Sequence, residues 1–357
     1  MSRKIQSTSR EPRIAIVGAT GRVGSTLTSL LASDPVDIVV LTRRPDAAQL
    51  PKGASIAAID FDQPHTLQEA LRGADRLFVS HGTSPQQVAN EIALIDGAVA
   101  AGVRHIVKLS ALGPASRLNP FAWHMRIEAH LAQQPVASTV LRPSAYVDIL
   151  KRAAGQIAAG SWAGAAGEGR VNFIDTRDIA DVARVALLEE FSSESQRAYH
   201  LTGPRAWTMR QVAEQLSSLL GHLVVYNHRS TEEQRATLLA DGLPPLVADL
   251  LVGLDQMFRE SALGETTSTV EALTGKSPRT LPQWLAENIE IFRNSTQQRA
   301  GGCAGSAQGS RTSCLQPLAR AERFLWSFKS PRGASESCQQ GATHVHDSPP
   351  SENNVDA

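Results

Sequence analysis

Three glycines spaced three apart, Gly18, Gly21 and Gly24, stand between an apolar run at residues 14–17 and a segment with Leu27, Leu30 and Leu31 at helical spacing. Glycine lets a turn approach a phosphate closely. A helix opening there offers free N–H groups and a partial positive charge, so the stretch suits a dinucleotide pyrophosphate. A glycine triplet alone could merely pack a helix on a strand; the strand before it and the helix after it, expected to open at Ser25, set this one apart. About 20 residues past such a turn, an NAD-binding protein places an acid on the ribose 2′-hydroxyl. Here Arg43 and Arg44 occupy that place, and no acid follows until Asp46. A guanidinium pairs with a 2′-phosphate, so the spacing predicts NADP(H) in preference to NAD(H).

Other residues with chemical capacity sit where strands are expected to end. Asp62 falls near the expected adenine position and reads equally as a turn acid. His81, Gly82 and Thr83 follow a fourth strand, at the carboxyl end where ligands bind in open α/β sheets. His81 also reads as an ordinary capping histidine. Ser110 follows a fifth strand and is expected beside the nicotinamide. His124 and Glu128 are four apart and share a helix face. Met257 and Phe258 suit a pocket wall or a core.

The elements that position these residues follow from hydrophobic periodicity. Strand-like runs at residues 14–17, 37–42, 55–59, 76–80, 105–109 and 136–141 alternate with helical patterns, including 85–101 with Val88, Ile92, Ile95 and Val99 on one face. That alternation predicts an α/β fold, a Rossmann-type doubly wound parallel sheet. After Ser144 the pattern changes to helices at 145–157, 179–190, 212–220, 232–240, 245–260 and 284–292. Short strands are expected at 171–174, 198–201 and 222–226. Asp178 reads as a helix start, and Thr208 with Gln211 as a capping box. The expected organisation is a flexible N-terminus at 1–12, an NAD(P)-binding domain at 13–144, a smaller, mostly helical substrate lobe at 145–294 and a disordered tail at 295–357, where hydrophobic periodicity vanishes.

Composition narrows the function classes. The chain has 357 residues, 42% of them hydrophobic, and a formal net charge of zero. Neutral charge gives no electrostatic case for nucleic acid or an anionic membrane. The first ten residues do not read as a signal peptide, and there is no apolar run long enough to span a bilayer. All three cysteines, Cys303, Cys314 and Cys338, lie in the expected tail, which fits a reducing cytoplasm. His344, His346 and Cys338 match no tetrahedral spacing, so no metal site is expected.

Taken in order, G-A-T-G-R-V-G at 18–24, T-R-R at 42–44, A-G-V-R-H-I-V at 101–107, L-R-P-S at 141–144, F-I-D-T-R-D-I-A at 173–180, Y-H-L-T-G-P at 199–204 and L-T-G-K-S-P-R-T at 273–280 resemble the NmrA-like, atypical short-chain dehydrogenase/reductase family. Within it the likeness is to NAD(P)H-dependent quinone and azo-dye reductases, over residues 13–293. The resemblance implies that Gly18, Thr20, Gly21, Arg22, Val23 and Gly24 hold the pyrophosphate and that Arg43 takes the 2′-phosphate. The family's relatives commonly use a tyrosine with a lysine four residues later as the acid. None of Tyr146, Tyr199 and Tyr226 has that lysine, and Lys151 is five residues from Tyr146. Reduction of an electron-poor acceptor does not require that pair, because positioning and electrostatics suffice and solvent can supply a proton. If a side-chain acid takes part, the candidates are His124, oriented by Glu128, and Tyr146. The expected activity is NADPH-dependent hydride transfer to a quinone or azo compound. Two alternatives stay open: a non-catalytic NADP-binding, redox-sensing regulator, and a biosynthetic imine or enoyl reductase. The oligomeric state is open as well, a homo-oligomer included.

Overall fold

The computed structural model describes residues 10–45, 53–113 and 121–293; Asp46 and the expected tail lie outside them. Strands β1 (Arg13–Val17), β2 (Asp37–Thr42), β3 (Ser55–Ala58), β4 (Arg76–Val79), β5 (His105–Leu109) and β6 (Ala137–Pro143) alternate with helices α1 (Arg22–Leu31), α2 (Pro64–Leu71), α3 (Gln87–Ala100) and α4 (Phe121–Leu131). There follow β7 (Ala145–Tyr146), a 3-10 helix (Val147–Ala153), α5 (Ala154–Ala158), β8 (Ser161–Gly164), β9 (Val171–Ile174), α6 (Thr176–Leu188), β10 (Gln196–Leu201) and β11 (Ala206–Trp207). The described chain closes with α7 (Met209–Leu220), β12 (Val225–His228), α8 (Thr231–Ala240), α9 (Pro245–Arg259), α10 (Thr269–Thr274), α11 (Leu281–Glu287) and α12 (Ile289–Arg293).

Seven strands form one parallel sheet in the order β10-β6-β5-β4-β1-β2-β3. The order reverses between β1 and β4, which makes the gap beyond their carboxyl ends the switch point where such sheets bind ligands. Side chains alternate across the sheet as the pleat requires. Ile14, Ile16, Phe78 and Val107 pack with α1 and α6, while Ala15, Val17, Leu77, Val79 and Ile106 pack with α2, α3 and α4. A third apolar cluster joins α5, α7, α9, α11 and α12 and takes in Leu112 from the first half of the chain. Two small sheets, β11-β9-β7 and β12-β8, accompany these helices.

Several expectations are corrected. The helix after the glycine turn opens at Arg22, so Gly24 lies inside it. Glycine costs a helix about 1 kcal/mol. The fully buried Leu27 and Leu31 each contribute about 2 kcal/mol and outweigh that cost. Residues 145–157 are not one helix: β7 pairs with β9, and a 3-10 segment precedes α5. The strand near 198–201 is β10, which returns across the expected boundary at 144 and pairs with β6 as the seventh strand. Asp175, not Asp178, caps α6 by accepting from the Arg177 N–H. Asp178 is held by Arg279, whose backbone N–H donates to it at 2.9 Å. The expected last helix is two, α11 and α12, interrupted at Asn288. The Thr208–Gln211 capping box forms.

Candidate active site

The glycine turn is built by close backbone approach. Gly18 has φ +85°, a left-handed conformation that side chains rarely adopt, and a Cβ there would overlap the Ser80 carbonyl at the end of β4. A Cβ on Gly24 would overlap the Gly18 carbonyl oxygen and come within 2.7 Å of its carbon. Gly21 donates its N–H to Gly18 at 2.9 Å and stands as the N-cap of α1. It supplies no side-chain acceptor, and the first turn of α1 carries no acidic residue. Side chains of Asp175, Thr208, Ser230 and Thr280 do cap α6, α7, α8 and α11. The first-turn N–H groups of α1 therefore point out at the switch point without a capping side chain, beside the exposed Thr20 and half-buried Arg22. This cradle fits a dinucleotide pyrophosphate.

The other expected cofactor residues surround the same end of the sheet. Arg43 and Arg44 follow β2, are exposed, and form no ion pair with the described residues. Asp62 is exposed and sits in a turn in which its N–H donates to Asp60 at 3.0 Å. His81 is packed edge-on to Phe61 with ring centroids 5.8 Å apart. Its Nδ1 lies 2.6 Å from the carbonyl of the exposed Gly82, and its Nε2 accepts from Asn90 at 3.0 Å. Burial lowers its pKa from the ordinary histidine value, and both ring nitrogens are engaged. Ser110 is buried after β5, its N–H donating to Leu141 at 2.7 Å. Ser144, at the end of β6, is also buried, and its hydroxyl has no partner among the described residues.

On α4, Phe121, His124 and Glu128 face the end of β5. The expected orienting contact from Glu128 to His124 is not the one made. Both carboxylate oxygens of Glu128 accept from Arg142, the shortest pair at 2.5 Å, and Oε1 also takes the Ser110 hydroxyl. A bidentate guanidinium holds a carboxylate firmly, so Glu128 anchors α4 to β6 and orients Ser110. His124 instead turns Nδ1 to Lys108 Nζ at 3.2 Å. Burial, then the Lys108 charge, keeps its pKa well below the ordinary value. Lys108, its ion-pair partner Glu91 and Gln87, which donates to Glu91, were not singled out from the sequence. All three are fully buried, Lys108 inside an apolar strand and the other two a turn apart on α3, and charge in such a setting was the available signal.

Tyr146 packs partly buried against the core that contains Ala19 and Val23, and burial pushes its hydroxyl upward. Lys151 gives it no help. That side chain pairs with Asp148 at 2.8 Å and lies over the Trp284 ring. Met257 and Phe258 belong to the third cluster, where Met257 also faces Gly113. Gly113, three residues beyond Ser110, faces Phe121 and the Met257 methyl so closely that a Cβ would lie 2.7 to 2.9 Å from them. The turn after β5, α4 and α9 thus meet in one apolar corner. Among the described residues no cluster of three or more His, Cys, Asp or Glu is placed to hold a metal, and no helix is long and apolar enough to cross a membrane.

A doubly wound sheet with an uncapped glycine cradle at its switch point defines a dinucleotide-binding protein of the Rossmann type. The model of the NmrA-like family matches residues 10–286, and the chain belongs to that family. It is 32% identical over 286 residues to an NAD(P)H azoreductase of Xenophilus azovorans, covering 78% of this chain and 99% of that protein. It is 31% identical over 285 residues to quinone oxidoreductase 2 of Escherichia coli, with coverage of 78% and 99%. The crystal structure of the NADPH-dependent quinone oxidoreductase from Escherichia coli, complexed with NADPH, superposes with a TM-score of 0.69 at 30% identity, covering 78% of this chain and 98% of that one.

Proposed function

We propose that the protein is an NADPH-dependent oxidoreductase that delivers hydride to an electron-poor small molecule of the quinone or azo class. The observation that carries this reading is the joint geometry of the α1 cradle and the end of β2. Gly18, Gly21 and Gly24 with Thr20, Arg22 and Val23 receive the pyrophosphate. Arg43, with Arg44 beside it, meets a 2′-phosphate where an NAD-specific site would place an acid. The NAD(P)H azoreductase and the NADPH-bound quinone oxidoreductase support the same cofactor and acceptor class. Bound NADPH supplies the hydride.

The chain's own residues supply position and polarity. Asp62 lies on the adenine side, His81 and Gly82 wall the cleft, and Ser110, held by Glu128, supports the nicotinamide end. Leu112, Phe121 and Met257 form the apolar corner that takes a flat acceptor and excludes water. His124 faces the acceptor as a hydrogen-bond donor for the charge that builds there, and Tyr146 stays protonated at the wall. A cytoplasmic protein acting on a small molecule, with no nucleic-acid partner, fits this account; a homo-oligomer would not change the site. Steady-state oxidation of NADPH and NADH against a panel of quinones and azo dyes tests it. Turnover with at least one acceptor, faster with NADPH at low coenzyme, is expected; no oxidation of either coenzyme with any acceptor would overturn it.

A further inference from the structure

β5 turns one charged side chain into the apolar layer beneath α3 and α4. Lys108 is fully buried there, as are Glu91 and Gln87 of α3. Its Nζ lies 2.7 Å from Glu91 Oε2, 2.5 Å from the Leu109 carbonyl oxygen and 3.2 Å from His124 Nδ1. Gln87 donates to the second oxygen of Glu91 at 2.9 Å. An ammonium has three N–H donors and no acceptor; the Leu109 carbonyl and His124 Nδ1 meet two of them, and Glu91 Oε2 stands beside it as the ion-pair partner. The imidazole must therefore present a lone pair at Nδ1, which in the neutral ring puts the proton on Nε2. We propose that Lys108 is a positioning residue that fixes His124 as its neutral Nε2–H tautomer, so that the ring donates a hydrogen bond and does not accept one.

The proposal rests on the reading above, in which His124 faces the hydride acceptor. A quinone oxygen or azo nitrogen gains negative charge as hydride arrives. An N–H donor stabilises that charge, whereas the other tautomer would turn a lone pair toward it. Stability alone does not account for Lys108, because a buried ion pair is often no better than apolar residues of the same volume. The charged groups around His124 agree with the assignment. Lys108 from β5 faces its Nδ1, Glu91 from α3 is engaged by that same ammonium, and Glu128 on α4 is committed to Arg142 of β6. A doubly protonated ring would set an N–H against the Lys108 ammonium, so protonation requires that contact to break.

The test is long-range nitrogen–proton NMR on the full chain labelled in histidine, with His124 assigned from the His124→Gln variant. The native protein should show the pattern of an Nε2–H ring, unchanged as pH falls through the ordinary histidine range. Lys108→Met alone strands Glu91 as an unpaired buried charge, so the informative variant is Lys108→Met/Glu91→Gln. In it the His124 signals should move toward those of exchanging tautomers, the ring should protonate at higher pH, and kcat with a quinone should fall about ten-fold while the KM for NADPH holds. An Nδ1–H ring in the native protein, or a double variant with native His124 signals and titration, overturns the proposal. The expected tautomer with kcat unmoved in both this variant and His124→Gln supports the assignment and overturns His124's part in the reaction.

Discussion

Replacing Gly24 with alanine sets two physical effects against each other. Gly24 is inside α1, where alanine is favoured by about 1 kcal/mol, so propensity alone predicts a more stable protein. The packing predicts the opposite. A Cβ at Gly24 would lie 2.7 Å from the Gly18 carbonyl carbon and 3.0 Å from Ala19 Cα, besides overlapping the Gly18 oxygen. Carbon contacts are comfortable at about 3.5 Å, so α1 must retreat by close to 1 Å from a turn that is itself pinned against β4. Overpacking against backbone costs about 1–3 kcal/mol, which after the propensity gain leaves a net loss of up to ~2 kcal/mol. In a domain of this size that lowers Tm by several degrees, at about 2–4 °C per kcal/mol. On the proposed reading the retreating N–H groups are those that meet the pyrophosphate, so the Kd for NADPH should rise at least ten-fold, equivalent to about 1.4 kcal/mol. Thermal unfolding and equilibrium NADPH titration read both quantities. A Gly24→Ala protein with an equal or higher Tm and native NADPH affinity would refute the reasoning.

Three further outcomes are expected. Arg43→Ala should cut the preference for NADPH over NADH about 30-fold, the ~2 kcal/mol worth of a charged hydrogen bond to phosphate, read from kcat/KM with each coenzyme. Gly113→Ala pushes only on the ends of Phe121 and Met257, which can swing into the apolar corner; the KM for a quinone should rise several-fold, about 1 kcal/mol, with NADPH affinity unchanged. His105 is fully buried and held at about 4 against 6.5, by burial and then by Arg76 and Arg197. The unfolded chain therefore binds more protons between those values, and stability should fall by about 3 kcal/mol as pH drops through that window. Denaturant titrations across it should show a flatter dependence in His105→Leu, with a residual slope of the same sign from His124.

The parallel sheet was legible because its strands are short apolar runs between helical patterns, and the glycine cradle because strand, turn and helix adjoin in sequence. What escaped reading depends on partners far along the chain. β10 reads Q-R-A-Y-H-L, too polar to announce a place in the large sheet, and its position comes from pairing with β6. D-T-R-D offers two capping acids, and only Arg279, about a hundred residues on, diverts Asp178 from that role. The inner face of α3 was expected at Val88, Ile92, Ile95 and Val99. The fully buried side instead carries Gln87, Glu91, Leu94, Ile95 and Ala98, because Lys108 compensates the polar pair. Spacing placed His124 and Glu128 on one face correctly. It could not show that Arg142, held on β6, takes the carboxylate and leaves the ring to Lys108.

Hydride transfer from bound NADPH is tested most directly by a single turnover. The protein is first loaded with NADPH and then mixed rapidly with an excess of a quinone or azo dye, and the reduced nicotinamide absorbance is followed. That absorbance should be lost in one phase at a rate that depends on the acceptor, slower in His124→Gln, with no comparable loss without protein. Tight NADPH binding with no loss of that absorbance against any acceptor would contradict it and point to a regulator that reads the cofactor without using it.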